Sequence, residues 1–372
     1  MRESKASDAV VRKQIFVIVA VLLSSLASLV VCAGAYLLLQ RPNYHTLGAL
    51  REFRLVRAYL FDRRVRRLAR ALRESDPRSD LFKTMWDTNA GVMLSRRLYR
   101  VVDMDGRSSY GYKPNLHKLS FWTGAHGLSW RMETEDTPAL RAALADLGPE
   151  LMLTASYDDE GFRRTDPDLA VDCQAHVLFL GDSFTDGLWV ADADTFANRY
   201  ARVARARSGT RVCPVNAGVN GYGSFEERFV LEHEFEHAGR PLLVFVMYFP
   251  NDVDQDYDAV VDGTLRDADR LWRESLDELL RMNRFAHARG ITLVLAAIPT
   301  STQAIEGLSQ THYQDVLGRF ATAERIVFVN LIEGFAARGP RSLYLSGDPH
   351  FTPLGHQVTA ELLYDATKDR LR

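Results

Sequence analysis

The chain has 372 residues, of which 47% are hydrophobic, and its 46 Lys and Arg side chains nearly balance 48 Asp and Glu side chains. This composition excludes a disordered acidic protein, a collagen-like repeat and a strongly basic nucleic-acid-binding protein, and the length suggests about two domains. The charge is nevertheless unevenly distributed, because residues 1–73 contain 14 basic and 4 acidic side chains. The remaining residues therefore carry a net charge of −12.

The N-terminal segment contains one long uncharged stretch, residues 14–40. Within it, residues 15–39 are almost all apolar. At about 1.5 Å per residue, a helix of this length crosses the roughly 30 Å hydrocarbon core of a membrane. We predict an N-terminal tail at residues 1–14 and a transmembrane helix at residues 15–39. Ala33 and Ala35 also fit a signal-peptide cleavage site, but the apolar stretch exceeds a typical signal-peptide core, which favours an uncleaved anchor.

The residues that follow this apolar stretch are rich in arginine. Apolar residues recur among them at near-helical spacing: Phe53, Val56, Leu60, Val65, Leu68 and Leu72. This pattern predicts a basic amphipathic juxtamembrane helix within residues 40–77 that lies on anionic lipid. The alternative is a helix that packs on the globular part of the chain with a solvated basic face. No nucleic-acid-binding motif accompanies the arginines, so we expect no nucleic-acid partner.

Residues 78–170 show no clear periodicity, and we expect them to form a small ancillary or cap region. In residues 171–372 the pattern becomes regular, with five short apolar stretches: His176–Leu180, Val212–Val219, Leu242–Phe249, Ile291–Ile298 and Ile326–Leu331. Such continuous hydrophobicity is typical of strands buried on both faces of a parallel sheet. Helical stretches separate them: Thr195–Ala206, Phe225–His237, Leu265–Ala288 and Gln303–Ala323. The alternation predicts an α/β fold with a doubly wound, parallel five-stranded sheet.

Residues that can take part in catalysis follow the predicted strands. Ser183 comes directly after the first strand, in the sequence Gly-Asp-Ser-Phe, and Gly218 and Asn251 follow the second and third strands. Asp348 and His350 lie near the C-terminus. In open α/β sheets the site lies at the carboxyl ends of the strands, so we expect these residues to meet. A serine there can act as a nucleophile with His350 as base and Asp348 orienting the imidazole.

The same arrangement offers hydrogen-bond donors for a developing oxyanion. The candidates are the backbone N–H groups of Ser183 and Gly218 and the side-chain amide of Asn251. Losing one such donor typically costs about 10²–10³ in rate.

Four sequence blocks follow one another in the chain: Gly-Asp-Ser-Phe with Ser183, then Gly218, then Asn251, then Asp348 with His350. Their order resembles that of the SGNH/GDSL hydrolase superfamily. The resemblance covers about residues 158–372 and includes the sequence Glu-Gly-Phe-Arg at 160–163. It implies a flavodoxin-like three-layer fold, no metal or cofactor, and ester hydrolysis or acyl transfer on carbohydrates and lipids. It also assigns the nucleophile to Ser183, the base to His350, its partner to Asp348, and the oxyanion hole to Ser183, Gly218 and Asn251.

Together these features lead us to expect a membrane-anchored bacterial serine esterase of the GDSL type, with an acylated carbohydrate or lipid as substrate. The alternative is an O-acetyl- or acyltransferase that modifies a cell-envelope polysaccharide. The single residue between Asp348 and His350 resembles the branch that includes polysaccharide O-acetyltransferases. A second alternative is a non-catalytic, membrane-tethered glycan-binding protein. We expect a single-pass protein of the bacterial inner membrane with an extracytoplasmic catalytic domain, although arginines flank the anchor on both sides and the positive-inside rule does not orient it.

Several other patterns compete with this interpretation. Residues 233–237 match the H-E-x-x-H zinc pattern, but charged neighbours favour a solvated helix face. The alternating acids Asp252, Asp254, Asp256 and Asp258 resemble a calcium loop without its glycine and glutamate, and we interpret them as a solvated acidic loop. His356 is expected to stabilise the last helix rather than act as base.

Two further features stay open at the level of sequence. Cys173 and Cys213 precede the first two strands and either form a disulfide or remain buried thiols. The elements that could determine specificity are residues 78–170, Asp186, Trp189 and the acidic loop, and none of them has a diagnostic pattern.

Overall fold

The computed structural model describes residues 85–86, 93–94, 98–123, 130–145, 151–306, 310–345 and 348–371. All of them belong to one structural unit, Asp62–Arg372. The predicted tail at residues 1–14, the predicted transmembrane helix at 15–39 and the predicted amphipathic helix at 40–77 all lie outside the described residues. Within the described ranges, every helix is too short or too polar to cross a membrane.

The described part of the ancillary region is built from antiparallel strands and a helix. Its elements are β1 (Met85–Trp86), β2 (Met93–Leu94), β3 (Tyr99–Met104), β4 (Arg107–Tyr112), β5 (His117–Thr123), β6 (Trp130–Glu135), α1 (Pro138–Ala145) and β7 (Leu151–Ser156). Strand β1 pairs with β2, β3 pairs with β4, and β5 lies between β6 and β7. The turn between β3 and β4 is formed by Asp105 and Gly106, both with positive φ, as two-residue hairpin turns require.

The second part of the chain contains a five-stranded sheet. Its strands are β8 (Ala175–Gly181), β9 (Val212–Asn216), β10 (Leu243–Tyr248), β11 (Thr292–Ala297) and β12 (Val327–Asn330). They are all parallel and run in the order β12-β11-β10-β8-β9. The predicted parallel α/β sheet is therefore confirmed. The chain direction across the sheet reverses at β8, so the crevice between β8 and β10 is the place where such sheets bind ligands.

Helices cover both faces of this sheet. They are α2 (Ser183–Asp186), α3 (Phe196–Ser208), α4 (Ser224–Glu234), α5 (Tyr257–Asp262), α6 (Ala268–His287), α7 (Ser301–Glu306), α8 (His312–Ala323), α9 (Ile332–Ala336) and α10 (Pro353–Thr367). Short 3₁₀ segments are Pro167–Leu169, Asp192–Asp194, Pro250–Asp252, Pro340–Ser342 and Lys368–Arg370. The predicted helix Gln303–Ala323 is in fact two helices, α7 and α8. Gly307, a poor helix former, lies in the sequence between them.

Alternation along the strands creates two separate cores. In β8, Leu178 and Leu180 belong to one core with residues of α4, α6 and α8. Val177 and Phe179 belong to the other core with residues of α3 and α10. Because each face of the sheet carries a buried apolar layer, the domain has three layers, helix on sheet on helix.

A disulfide joins Cys173 to Cys213. The two Cα atoms lie 5.5 Å apart, which is within the usual range for a disulfide. The bond connects the residues that enter β8 to the start of β9, and it closes a sequence separation of 40 residues. The alternative left open by the sequence, two unpaired buried thiols, is therefore not the one found.

Candidate active site

The turn between β8 and α2 brings Ser183 to the carboxyl edge of the sheet. Gly181 has φ +154, and a Cβ at this position would lie 2.1 Å from Thr185 Oγ1. Only glycine fits here, because any side chain would collide with the first turn of α2. Asp182 begins this helix, since its Oδ1 accepts a hydrogen bond of 2.8 Å from the backbone N–H of Phe184.

The structure brings Ser183, His350 and Asp348 into one hydrogen-bonded chain. His350 Nε2 lies 2.8 Å from Ser183 Oγ. On the other side of the ring, His350 Nδ1 lies 2.6 Å from Asp348 Oδ1, and the same oxygen accepts the backbone N–H of His350 at 3.0 Å. With Nδ1–H donating to the carboxylate, Nε2 is left as the acceptor that faces the serine hydroxyl. This is the tautomer that a serine nucleophile requires.

Aromatic rings and the loop backbone hold His350 in place. Its ring centroid lies 4.8 Å from that of Phe184, and the residue is buried. The backbone N–H of Leu345 donates to the carbonyl of His350 at 2.9 Å. The next helix, α10, begins directly after this loop, with Thr352 accepting the N–H of Gly355 and Pro353 in the first helical position. The backbone of His350 is therefore held by the hydrogen bond from Leu345 on one side in sequence and by the start of α10 on the other.

Gly218, a predicted oxyanion donor, lies against the turn of residues 181–187 that carries the predicted nucleophile Ser183, called the nucleophile turn below. A Cβ on Gly218 would lie 2.2 Å from the backbone nitrogen of Asp186, so the loop approaches α2 as closely as a backbone can. The N–H of Gly218 donates to Asn216 Oδ1 at 3.1 Å, and Asn216 Nδ2 donates to the carbonyl of Thr185 at 2.7 Å. Asn216 therefore ties the Gly218 loop to the turn that carries Ser183.

The second predicted donor, Asn251, lies on the 3₁₀ segment that follows β10. Its Nδ2 donates to the carbonyl of Tyr222 at 3.2 Å, and its side chain also hydrogen-bonds the carboxylate of Asp182. Gly218 and Asn251 thus stand next to the turn that carries Ser183, the third predicted donor, and both donate to acceptors inside the protein. A substrate oxyanion would compete with these acceptors for the N–H groups.

Buried carboxyl groups surround the base of the nucleophile turn. Burial raises the pKa of Asp182 to about 6. Burial and, in second place, the neighbouring acids also raise the pKa of Glu227 and of Asp252. Glu227 is almost completely buried, and both of its carboxyl oxygens are without a hydrogen-bond partner among the described residues. Sequence reasoning missed Glu227 and Asn216, although Asn216 stands directly before Ala-Gly at the end of β9.

The competing histidines have other environments. His356 is buried, and its Nδ1 accepts the backbone N–H of Phe196 at 3.1 Å. Burial lowers the pKa of His356 to about 3, so this histidine stays neutral and stabilises the start of α3. In the H-E-x-x-H sequence, His233 Nδ1 lies 2.9 Å from the carbonyl oxygen of Phe229, and His237 Nε2 lies 3.2 Å from Glu160 Oε2.

Two expectations about neighbouring acids are corrected by the structure. Asp252 does not belong to a solvated loop: its carboxylate accepts the N–H of Phe249 at 3.0 Å and the hydroxyl of Ser224 at 2.9 Å. The reason is that this carboxylate satisfies a backbone N–H at the end of β10 and a hydroxyl at the start of α4. Asp186 is not a specificity element exposed to substrate, because it is fully buried among side chains of the ancillary region. Trp189, the other residue suggested for specificity, is 8% exposed.

Comparison with known proteins agrees with this geometry. Residues 179–358 match the model of the GDSL-like Lipase/Acylhydrolase family. This segment includes Ser183 and His350, and its similarity to that family supports an ester-hydrolysing enzyme. No curated protein matches the sequence.

Solved structures similar to the chain include three hydrolases. LAE5, an alpha/beta hydrolase enzyme from the metagenome of Lake Arreo, is 21% identical, with 55% of this chain and 99% of that chain covered and a TM-score of 0.42. The acetylxylan esterase Axe2 from Geobacillus stearothermophilus is 19% identical, with coverages of 53% and 95% and a TM-score of 0.40. The lipase/acylhydrolase from Enterococcus faecalis is 18% identical, with coverages of 53% and 97% and a TM-score of 0.41.

A first prediction concerns the contact between Gly218 and α2. Gly218→Ala should lower ester hydrolysis by about 10²-fold or more, because the new methyl group forces the loop away from the nucleophile turn. Gly223→Ala, in the same loop, is the control, since a Cβ there would meet nothing closer than 3.9 Å. Steady-state rates of the two purified variants decide the matter. Equal activity of both variants would show that catalysis does not need the close contact between Gly218 and α2.

A second prediction concerns His356. In the unfolded chain a histidine titrates near pH 6.5, whereas His356 in the folded protein has a pKa of about 3. Between these values the unfolded state binds more protons, so the free energy of unfolding falls as the pH falls, by up to about 1.4 kcal/mol per pH unit. His356→Asn should reduce this slope between pH 6.5 and 4, as measured by urea unfolding. His287→Asn, which alters an exposed histidine, should keep the wild-type slope; a wild-type slope in the His356 variant as well would contradict the assignment.

Proposed function

We propose that this enzyme is a serine esterase that acts on O-acyl esters of a glycan or lipid through an acyl-Ser183 intermediate. The observation that carries the proposal is the hydrogen-bonded chain of Asp348, His350 and Ser183 at the carboxyl edge of the sheet. A histidine that accepts from a serine and donates to a carboxylate has the geometry of an activated nucleophile.

Acylation begins with attack of Ser183 Oγ on the ester carbonyl carbon while His350 Nε2 takes the hydroxyl proton. The carbonyl π electrons move to oxygen, and the resulting oxyanion receives hydrogen bonds from Ser183 N–H, Gly218 N–H and Asn251 Nδ2. Asp348 stabilises the imidazolium that forms. The tetrahedral intermediate then collapses: the bond to the leaving alcohol breaks, His350 returns the proton to that alcohol, and the acyl group stays on Ser183.

Deacylation repeats these steps with water. His350 removes a proton from a water molecule, which attacks the acyl carbon and passes through a second oxyanion. Collapse releases the carboxylic acid and returns the proton to Ser183 Oγ, so the enzyme is regenerated. If a sugar hydroxyl replaced water, the same residues would transfer the acyl group to that sugar.

The glycan or lipid class of the substrate is inferred from two features. The matched family is described as lipases and acylhydrolases. The apolar residues 15–39, as a transmembrane anchor, and the basic residues 40–77, lying on anionic lipid, would hold the enzyme at a membrane surface. Acylated lipids and acylated envelope glycans are the esters found there.

The reaction is tested with p-nitrophenyl acetate and the full-length protein in detergent. Wild type should release p-nitrophenol, whereas Ser183→Ala and His350→Gln should lose at least about 10³-fold in kcat. Ser208→Ala, at the exposed end of α3, serves as a control that keeps the activity. Full turnover by the Ser183 variant would exclude this serine as nucleophile. Adding a glycan acceptor separates the two reactions, because a transferase yields acylated glycan and an esterase yields only free acid.

We also propose that the protein is a single-pass protein of the bacterial inner membrane with the catalytic domain outside the cytoplasm. The disulfide between Cys173 and Cys213 supports this proposal, since structural disulfides persist in oxidising compartments.

An alkaline phosphatase reporter fused after Arg372 should be active in cells, because this reporter needs an oxidising compartment. In the same cells, thiol alkylation of the unreduced, denatured protein should modify neither Cys173 nor Cys213. A fusion to a reporter that works only in the cytoplasm is the control. Activity of that control, together with alkylated Cys173 and Cys213, would reverse the orientation.

A further inference from the structure

A buried ionic contact connects the ancillary region to the nucleophile turn. Asp186 is the last residue of α2, and its carboxylate is completely buried. Lys118 of β5 lies 2.7 Å from Asp186 Oδ2, and Tyr112 at the end of β4 donates to the same oxygen at 3.1 Å. Tyr157, directly after β7, donates to Oδ1 at 2.7 Å. All three donors thus belong to the ancillary region, and they occupy both oxygens of the carboxylate.

Lys118, Tyr112, Tyr157 and Asp186 form a buried cluster, and a second cation, Arg163, adds contacts to the backbone carbonyls beside it. The guanidinium of Arg163 donates to the carbonyl of Asp186 at 2.8 Å and to that of Val190 at 2.7 Å. It also forms an ion pair of 2.6 Å with Asp192. The chain that runs on from α2 is therefore held by its carbonyl groups as well as by the Asp186 side chain.

The charges in the cluster compensate one another. Burial alone would raise the pKa of Asp186, but the nearby charges of Lys118 and Arg163 hold it below its ordinary value. The Lys118 ammonium has a second carboxylate neighbour, Glu133 Oε1, at 3.1 Å. Removing charges from water is costly, and a well-packed apolar pair would fill the same space at lower cost. What the ionic cluster adds is directional contacts that an apolar pair cannot make.

The cluster is only one helical turn away from the reacting atoms. Helix α2 has four residues, too few to be stable by itself, so its position depends on what anchors it. The N–H of Asp186 donates to the carbonyl of Asp182 at 2.9 Å, and the N–H of Gly187 donates to that of Ser183 at 3.1 Å. The Asp186 nitrogen is also the atom that a Cβ on Gly218 would strike. The position of Asp186 therefore sets both the nucleophile turn and the Gly218 loop.

We propose that Lys118 and Asp186 are positioning residues for ester hydrolysis. Strand β5 supplies a buried ammonium group that fixes α2, and through α2 it sets Ser183 Oγ relative to His350 Nε2 and to Gly218. The ancillary region is then a working part of the active site rather than a separate cap over it. This inference rests on the proposed role of Ser183 as nucleophile.

The test uses Lys118→Met, Asp186→Asn and the double variant K118M/D186N in the full-length protein. The double variant removes the buried Asp186 charge that Lys118→Met leaves without its ammonium partner, and Glu133 keeps the hydroxyl of Ser120, so it should recover thermal stability relative to Lys118→Met. Its kcat for p-nitrophenyl acetate should nevertheless stay about 10²-fold below wild type, with KM changed less than about threefold, because the nucleophile is misplaced rather than the substrate site lost. Wild-type kcat in the double variant would overturn the proposal.

A stability control separates positioning from general destabilisation. Leu119→Ala removes a fully buried side chain from the same strand, next to Lys118. This variant should lose thermal stability and keep kcat within about threefold, since it leaves the contacts of Asp186 in place. A loss of kcat equal to that of the double variant would mean that any damage to β5 has the same effect, which would also overturn the proposal.

Hydrogen exchange provides a readout that does not depend on catalysis. The amides of residues 182–187 should exchange at least about tenfold faster in the double variant than in wild type, whereas Leu119→Ala should leave them near the wild-type rate. If wild type fails to hydrolyse esters, the proposed function fails, and the exchange rates still decide whether Lys118 and Asp186 fix this turn. Unchanged exchange in the double variant would refute the positioning role.

Discussion

The hydrogen bond between His350 Nε2 and Ser183 Oγ joins residues that are 167 positions apart, and much of the structure serves to keep it short. Ser183 is placed by β8, the strand at which the chain reverses direction across the sheet. His350 is placed by a loop that ends at the cap of α10. Because two rigid elements meet at this bond, a shift of either one would lengthen it. The sheet order and the last helix are therefore part of the chemistry as well as of the fold.

Electrostatic environment differs sharply on the two sides of the nucleophile turn. Asp182 and Asp186 stand at opposite ends of α2, and both are buried. The pKa of Asp182 is raised to about 6 because burial outweighs its hydrogen bonds, and the other acids near it have raised values too. The pKa of Asp186 is lowered because Lys118 and Arg163 lie beside it. Equal burial is thus accompanied by opposite pKa shifts, because Lys118 and Arg163 lie beside Asp186 whereas burial dominates at Asp182.

The parts of the fold that the sequence predicts are those with strong local signals. The five parallel strands form continuous apolar stretches, and Ser183, Asp348 and His350 stand beside them in recognisable order. The contact of Lys118 with Asp186 has no such signal, since it joins a strand residue and a helix residue that are 68 positions apart in sequence. Asp252 shows the same limit: alternating acids suggest a solvated loop, and only the fold shows that its carboxylate accepts the hydroxyl of Ser224, 28 positions away. Local patterns report burial, whereas partners far apart in sequence depend on the folded chain.

The proposed catalysis requires above all that Ser183 forms the covalent intermediate. The most direct measurement is peptide mapping by mass spectrometry after the full-length protein reacts with a fluorophosphonate, which bonds to activated serine hydroxyls. We expect one adduct per molecule, located on Ser183, and almost none when His350 is replaced by glutamine. An adduct on another serine, or ester turnover that persists without any adduct, would contradict the account.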